Sequence, residues 1–158
     1  MSDAPLPPRD LPVRMIDGSP LGCALGFETV RMEHATATLT APYKPEMVGD
    51  PDTGVIAGGV VTALLDHASG QAVFAALGQP ASIATLDLRI DYMRAAEPGA
   101  AIFAHAHCYK LTHSIGFVRA VAYEHDESDP VATAQATFML ITTEPSIAPG
   151  DPATGAGQ

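Results

Sequence analysis

The sequence has only two cysteines, no tryptophan and little positive charge. Cys23 and Cys108 lie far apart and form no Cys-x-x-Cys pair, which excludes a disulfide framework and a cysteine-ligated zinc site. Free cysteine is among the most buried residue types, so we expect both to be buried structural thiols. Such sparse cysteine usage is typical of a reducing compartment.

Positive charge is scarce because eight Lys and Arg residues stand against eighteen Asp and Glu, a formal net charge of −10. A surface of this sign repels phosphate backbones, so nucleic acid is not an expected partner. No unbroken apolar run approaches the ~20 residues of a membrane-spanning helix. The N-terminus also lacks the basic start and apolar stretch of a signal peptide. We expect a cytoplasmic protein without membrane association.

The length of 158 residues suits one domain. Residues 1–20 contain five prolines among small and acidic residues, which predicts a flexible arm with at most one helical turn at 11–16. Residues 144–158 lack periodic apolar positions and are expected to be disordered. The predicted folded domain is therefore 21–143.

The apolar periodicity changes twice within this domain. Residues 24–41 alternate loosely and are rich in Thr and Val, which predicts a strand or a bent hairpin. A Pro-, Gly- and Asp-rich loop follows at 43–54. Residues 55–77 have apolar and small residues at helical spacing on nearly every side, so we expect a helix buried all round. Gly70 within it suggests close packing, and Gly78 with Pro80 ends it.

Four segments of period two follow the helix, at 82–95, 100–112, 114–126 and 131–143. In the first we expect one face to carry Leu86, Leu88, Ile90 and Tyr92 and the other Thr85, Asp87, Arg89 and Asp91. Turns are expected at 97–99 and 126–130. One long helix followed by such strands predicts an α+β fold with an antiparallel sheet wrapped around the helix. Since an open sheet has unpaired edges, we expect a homo-oligomer with a sheet continuous across a dimer.

The helix begins with a pattern that suggests chemistry. Gly58 and Gly59 stand together, and Asp66 follows seven residues after Gly59. Glycine lets a ligand approach the backbone closely, and the unpaired N–H groups of a first helical turn suit a developing oxyanion. A carboxylate flanked by Leu64 and Leu65 is costly to bury, which favours a functional role for Asp66 over a cap or an ion pair.

The glycine pair with its carboxylate and the following segment LDLRIDYMRAAEPG resemble the PaaI-type hotdog acyl-CoA thioesterases, over residues 21–143. The resemblance implies a hotdog fold and hydrolysis of an aryl- or medium-chain acyl-CoA without a cofactor or a metal. It implies that Gly59 N–H of one subunit binds the oxyanion while Asp66 of the other acts as general base or nucleophile. Dimers, and tetramers of two dimers, are common in this family.

Some residues depart from the family pattern. The motif histidine that helps Gly58 to hold the thioester is Ala57 here, and an upstream Asn or Gln is replaced by Pro51, beside Asp50. A hydroxyl one turn after the carboxylate is Gly70, beside Ser69. Another branch of the family holds water with a strand hydroxyl, which Thr85 matches. The cations Arg94, Lys110 and His113 lie near strand ends, where the resemblance implies that the CoA phosphates bind.

Several alternatives stay open from the sequence. The chain could bind an acyl or aryl group with little turnover, since Ala57 and Gly70 depart from the motif. A hydratase is the weaker interpretation, because the loop before the helix has no acid and histidine pair. The acyl group could come from CoA or from an acyl-carrier protein. We expect His67 to serve packing or an interface, and His105 and His107 to be strand histidines and not metal ligands.

Overall fold

The structure is a computed structural model that describes residues 19–79 and 81–141. The predicted helical turn at 11–16 and the predicted tail at 144–158 lie outside these residues. The helices are α1 (Pro20–Leu25) and α2 (Gly58–Leu77), with a 3-10 turn at Pro45–Met47. The strands are β1 (Glu28–Glu33), β2 (Thr36–Ala41), β3 (Val48–Asp50), β4 (Val55–Ile56), β5 (Ser82–Tyr92), β6 (Ile102–Leu111), β7 (Ile115–Tyr123) and β8 (Ala132–Ile141).

Six of these strands form one antiparallel sheet in the order β1-β2-β6-β7-β8-β5, and β3 pairs with β4 in a small second sheet. Alanines alternate along β6, β7 and β8 on the face that packs against α2. These small side chains let the helix lie close to the sheet. The predicted α+β arrangement of a sheet around one long helix is confirmed, and β1 and β5 are its edges.

Helix α2 is the centre of the core. Leu64, Leu65 and Ala68 are fully buried against the sheet, and the helix ends at Gly78, whose φ of 63° is left-handed. In the described residues α2 is also the one helix that is long and apolar enough to cross a bilayer, with 20 residues and a mean hydropathy of 1.3. Its packing against the sheet makes it a core helix. Asp66 and Phe74 are only half-buried, so the prediction of burial all round is wrong for that side.

A short helix that the sequence pattern did not predict precedes the first strand. Ser19 caps α1 by accepting a hydrogen bond from Gly22 N–H at 3.3 Å, and Pro20 has the fixed φ that suits a first helical residue. Gly26 ends the helix with a φ of 70°. The strand expected from residue 24 therefore begins at Glu28. Cys23 is exposed on this helix, so its predicted burial is wrong, whereas Cys108 is buried as predicted.

Strand β5 contains a β-bulge that changes which side chains face the helix. Thr85 pairs with Phe138 and Asp87 pairs with Thr137, which leaves Leu86 without a partner in the ladder. Phe138 is buried on the inner face of β8, so Thr85 also lies on the inner face. The predicted alternation is wrong here because a bulge inserts one residue and shifts the phase. Leu86 is exposed, while Leu88, Ile90 and Tyr92 share the inner face with Thr85.

The predicted turns are present. Ala100 N–H bonds to the Glu97 carbonyl at 3.2 Å, and Gly99 takes a φ of 87°. Asp126 accepts hydrogen bonds from the backbone and hydroxyl of Ser128, both at 2.8 Å, in the turn before β8. The loop expected at 43–54 contains the 3-10 turn and β3, and Tyr43 Oη donates to the Gly54 carbonyl at 2.9 Å.

Candidate active site

Asp66 and Thr85 meet at the open side of α2. Thr85 Oγ1 donates a hydrogen bond to Asp66 Oδ1 at 2.9 Å. Helix α2 and strand β5 are joined by a short turn at Gly78 and run back along each other, so the middle of the helix faces the beginning of the strand. The bulge at Leu86 turns Thr85 inward, and this brings its hydroxyl to the carboxylate.

A cleft of about 220 Å³ opens beside this pair. One part of its wall is polar and consists of Asp66, His67, Gln71 and Thr85; the other consists of Gly70, Phe74, Ile83 and Phe138. The wall residues on α2 are spaced four apart, as expected on one helical face. One row contains Asp66, Gly70 and Phe74, and the other contains His67 and Gln71. The cleft therefore places a carboxylate and a hydroxyl beside a wall that suits an apolar group.

Gly70 leaves space in this cleft. A methyl group at this position would lie 3.5 Å from Ile83 Cδ1 and 3.7 Å from Phe138 Cε1, which are ordinary van der Waals distances. The close packing predicted from Gly70 is therefore not required by its neighbours. Ser69 does not replace the missing hydroxyl, because its side chain is fully buried and its Oγ has no hydrogen-bond partner among the residues that the structure describes.

Two polar residues in the cleft wall were not identified as site residues from the sequence, nor were the apolar residues of the wall. Gln71 is buried, and its Nε2 donates to Thr29 Oγ1 at 3.1 Å. His67 Nδ1 lies 2.9 Å from the Ala63 carbonyl, so it is the donor there, and Nε2 can accept from Ser19 Oγ at 3.4 Å. These bonds anchor α1 and β1 to α2, and the packing role expected for His67 is consistent with them.

The first turn of α2 is open above Gly59. A Cβ at Gly59 would meet no atom within 4 Å in the described part of the chain, apart from its neighbours in the helix, and the Gly59 N–H is one of the groups that a helix start leaves without an intrahelical acceptor. Ala57 occupies the N-cap position and has no side-chain bond to the helix. Gly49 passes directly over it, since a Cβ there would lie 2.9 Å from Ala57 Cα.

Gly59 and Asp66 do not meet within one chain. Asp66 follows Gly59 by seven residues along the helix, a rise of about 10 Å at 1.5 Å per residue. A single carbonyl group is too small to contact both. If the two residues serve one thioester carbonyl, they must come from different subunits, as the resemblance implies.

Asp50 lies away from the cleft wall, in the loop before α2. It is exposed, and its carboxylate accepts hydrogen bonds from Asp52 N–H at 3.1 Å and from Thr53 Oγ1 at 2.9 Å. These bonds shape the turn that carries Pro51. The carboxylate is therefore engaged by its own loop in this structure.

Arg94 is held by an ion pair. It makes two bonds to the buried Glu124 carboxylate, at 2.6 and 3.0 Å, and its Nε lies 3.3 Å from Asp129. Burial raises the pKa of Glu124, but the Arg94 bonds and the Glu97 N–H more than offset this and lower it. The bond to Glu124 raises the pKa of Arg94. This guanidinium is already neutralised by carboxylates.

Lys110 and His113 lie at the opposite end of the sheet from Arg94. Strand pairing places Leu111 beside Gly116 and Gly116 beside Phe138, which lines the cleft. Both Lys110 and His113 are exposed. Lys110 has no salt bridge or aromatic partner among residues 19–79 and 81–141, whereas Arg119 stacks on Tyr109 at 4.7 Å. The three predicted cations are not gathered in one chain.

Comparisons with known proteins identify the family of the chain. A family model for the thioesterase superfamily matches residues 53–130, a range that contains Gly59, Asp66 and Thr85. The medium/long-chain acyl-CoA thioesterase YigI of Salmonella typhimurium is 30% identical over 134 residues, which cover 77% of this chain and 85% of that protein.

Solved structures show the same fold. A protein of Pseudomonas aeruginosa superimposes with a TM-score of 0.73 at 34% identity, over 80% of this chain and 95% of that one. The PaaI protein of the E. coli phenylacetic acid degradation operon superimposes with a TM-score of 0.72, over 81% of this chain and 88% of that one. At 19% identity the second likeness concerns the fold alone. The hotdog fold expected from the sequence is confirmed.

Proposed function

Because the chain belongs to the thioesterase superfamily, we propose that it hydrolyses an aryl- or medium-chain acyl-CoA to the free acid and CoA. The observation that carries this proposal is the hydrogen bond from Thr85 to Asp66 at the wall of a cleft with an apolar side. A carboxylate in this position can activate water beside a bound acyl group. The proposed site of this activity is the cytoplasm, as expected from the composition.

Asp66 can act by two routes. As a general base it takes a proton from water while the water oxygen bonds to the thioester carbonyl carbon. As a nucleophile its carboxylate bonds to the same carbon, the C–S bond breaks to leave an anhydride and the CoA thiolate, and water then hydrolyses the anhydride. In both routes the carbonyl oxygen becomes an oxyanion that accepts a hydrogen bond from Gly59 of the partner subunit. The C–S bond then breaks, and the leaving thiolate of CoA takes up a proton.

Thr85 serves Asp66 in this proposal. Its hydroxyl donates to Oδ1, and its oxygen lone pairs can accept a hydrogen bond from the attacking water. Donation to one carboxylate oxygen directs the other oxygen toward the cleft. Thr85 thereby sets the direction in which Asp66 meets the water or the carbonyl carbon.

Replacing Thr85 with valine should lower kcat about tenfold, because a hydrogen bond to a charged group contributes about 1.5–3 kcal/mol. Thr85→Ser keeps the hydroxyl and should stay close to the wild-type kcat. Steady-state thiol release and a melting curve measure both variants. A Thr85→Val chain that is as active as the wild type would contradict the role of this hydroxyl.

The edge strand β5 is the surface that we propose for dimerisation. Its inner face ends in Tyr92, which is half-exposed and touches Gly58 at the start of α2. Two β5 strands can pair antiparallel across the dimer axis, and the bulge residue Leu86 then takes no position in the pairing. If Leu88 lies at the centre, Tyr92 of the partner subunit lies opposite Ile83. If Arg89 lies at the centre, Tyr92 of the partner subunit lies opposite Thr85. Either register brings the start of the partner's α2 to the cleft. A dimer of this kind, alone or in a dimer of dimers, supplies the missing oxyanion donor and covers an open sheet edge.

For the CoA phosphates we propose Lys110 and His113, because both are exposed, Lys110 near the end of β6 and His113 on the turn that follows it. Arg94 is a weaker candidate, since Glu124 and Asp129 already engage its guanidinium. The net charge of −10 opposes a polyanionic ligand. The positive charge of Lys110 would offset part of that repulsion.

A panel of aryl- and acyl-CoA thioesters tests the proposal by release of free thiol. We expect turnover of at least one aryl- or medium-chain substrate by the full chain. The same acyl groups on acyl-carrier protein show which carrier is used. No turnover of any thioester by the wild-type chain would exclude the proposed hydrolysis.

The alternative proposal is a protein that binds an acyl or aryl group with very slow turnover. It is favoured by Ala57, which gives the N-cap of α2 no polar side chain for a thioester carbonyl. Restoring a histidine by Ala57→His should then raise kcat at least tenfold, since a placed donor contributes about 10²–10³-fold in acyl transfer. Steady-state kinetics of both chains measure the gain. An unchanged kcat would show that the missing histidine does not limit turnover.

A further inference from the structure

Tyr92 connects the end of β5 to the first turn of α2. Its hydroxyl donates a hydrogen bond to the Gly58 carbonyl at 2.6 Å and lies 3.0 Å from Thr62 Oγ1. A phenol has one proton to donate. Because that proton goes to Gly58, the Thr62 hydroxyl must be the donor to Tyr92. A chain of two hydrogen bonds therefore runs from Thr62 through Tyr92 to Gly58.

The acceptor of this chain belongs to the same peptide unit as the Gly59 N–H. The unit is planar and trans, so its carbonyl and its N–H point in opposite directions. A bond that fixes the Gly58 carbonyl consequently fixes the direction of the Gly59 N–H. Hydrogen bonds in a chain also polarise one another, by about 10–30% per bond. The N–H becomes a better donor at the helix start, where no helical carbonyl accepts its proton.

Gly58 has a separate steric role in this contact. A Cβ at Gly58 would lie 3.3 Å from Tyr92 Oη, which is tighter than an ordinary contact. Glycine at this position lets the hydroxyl reach the carbonyl. The two glycines thus differ: Gly58 makes room for Tyr92, whereas a Cβ at Gly59 would meet nothing in the described chain.

We propose that Tyr92 is a positioning residue for the oxyanion donor, with Thr62 acting through it. The role rests on the proposed function, in which Gly59 N–H binds the thioester oxyanion. Tyr92 does not touch the reacting atoms. It orients and polarises the peptide that does, so its loss should slow the chemical step and leave substrate binding unchanged.

The test measures kcat and KM separately on the full chain, with the thioester that the wild type hydrolyses fastest. Tyr92→Phe should lower kcat about tenfold, a fraction of the 10²–10³-fold lost when an oxyanion donor is removed, and should leave KM within about twofold. Thr62→Val should lower kcat less, and Thr62→Ser should restore it. The double variant Tyr92→Phe/Thr62→Val should be no slower than Tyr92→Phe alone, because Thr62 acts only through the phenol.

Tyr109→Phe is the matched control, since Tyr109 lies on the outer sheet face against Phe117 and Arg119. Melting temperature and oligomeric state are measured for every variant. A Tyr92→Phe kcat equal to that of Tyr109→Phe would overturn the role, as would a rise in KM at constant kcat or a kcat loss that follows a loss of dimer. A wild-type chain without thioesterase activity would overturn the proposed function and this role together.

Discussion

Replacement of Asp66 by asparagine is expected to lower kcat for thioester hydrolysis by about 10³-fold, within the range of about 10²–10⁴ for a lost acid–base group. Asparagine has the same shape, and its carbonyl oxygen can still accept the hydrogen bond from Thr85. The cleft therefore keeps its geometry and loses only the group that takes a proton or attacks the carbonyl carbon. Steady-state thiol release measures the loss, and titration of the acyl-CoA onto the variant measures binding.

Asp52→Asn is the matched control for this prediction. Asp52 is exposed in the loop before α2, so the same change of charge there should leave kcat unchanged. We expect the Asp66 variant to bind substrate at least as tightly as the wild type, because a carboxylate is removed from the site of a polyanionic ligand. Equal thioester turnover by the wild type and the Asp66→Asn variant would show that Asp66 is not the catalytic group.

The helix and the strands after it can be predicted from the sequence because each has a strong local signal. Small and apolar residues at helical spacing define α2, and alternation over most of their length defines β6, β7 and β8. The position of Asp66 relative to the two glycines is also visible in the sequence. Features that depend only on residue spacing within one helix or strand are therefore predictable.

The bulge at Leu86 cannot be predicted from alternation. The apolar pattern of β5 continues through Leu86 without a break, so a regular strand puts Thr85 on the outer face. The sheet instead pairs Thr85 with Phe138, because the ladder to β8 tolerates one unpaired residue at an exposed edge. The contact between Thr85 and Asp66 depends on this long-range pairing.

The partners of charged residues are equally hidden in the sequence. Arg94 and Glu124 are 30 residues apart, and only the fold shows that the buried Glu124 carboxylate forms an ion pair with the Arg94 guanidinium. A buried carboxylate must be paired, because breaking such a pair leaves an uncompensated charge that costs about 3–5 kcal/mol. Thus Arg94, which its position at a strand end suggests as a phosphate-binding cation, forms a structural ion pair with Glu124. The hydrogen bond from Tyr92 to the Gly58 carbonyl is hidden in the same way, because the alternation of β5 indicates only which face of the strand Tyr92 is on.

Gly59→Ala is expected to lower kcat/KM by about 10²-fold without loss of stability. Apart from its neighbours in the helix, a Cβ at Gly59 meets no atom of the described residues within 4 Å, and alanine is a better helix former than glycine by up to about 1 kcal/mol. Nothing in the described chain therefore requires glycine here. In the proposed function the acyl group approaches this N–H, so a methyl group beside the donor is expected to keep the oxyanion at a distance. Loss of one such donor lowers kcat about 10²–10³-fold.

Gly49→Ala gives the contrasting result that separates structure from function. Its Cβ would lie 2.9 Å from Ala57 Cα, a backbone atom that cannot yield easily. This variant should melt at a lower temperature, whereas Gly59→Ala should melt at or above the wild-type temperature. Melting curves and steady-state kinetics on the three chains decide the matter. If Gly59→Ala retains the wild-type kcat/KM, the space above this glycine receives no substrate and the oxyanion must be held by another group.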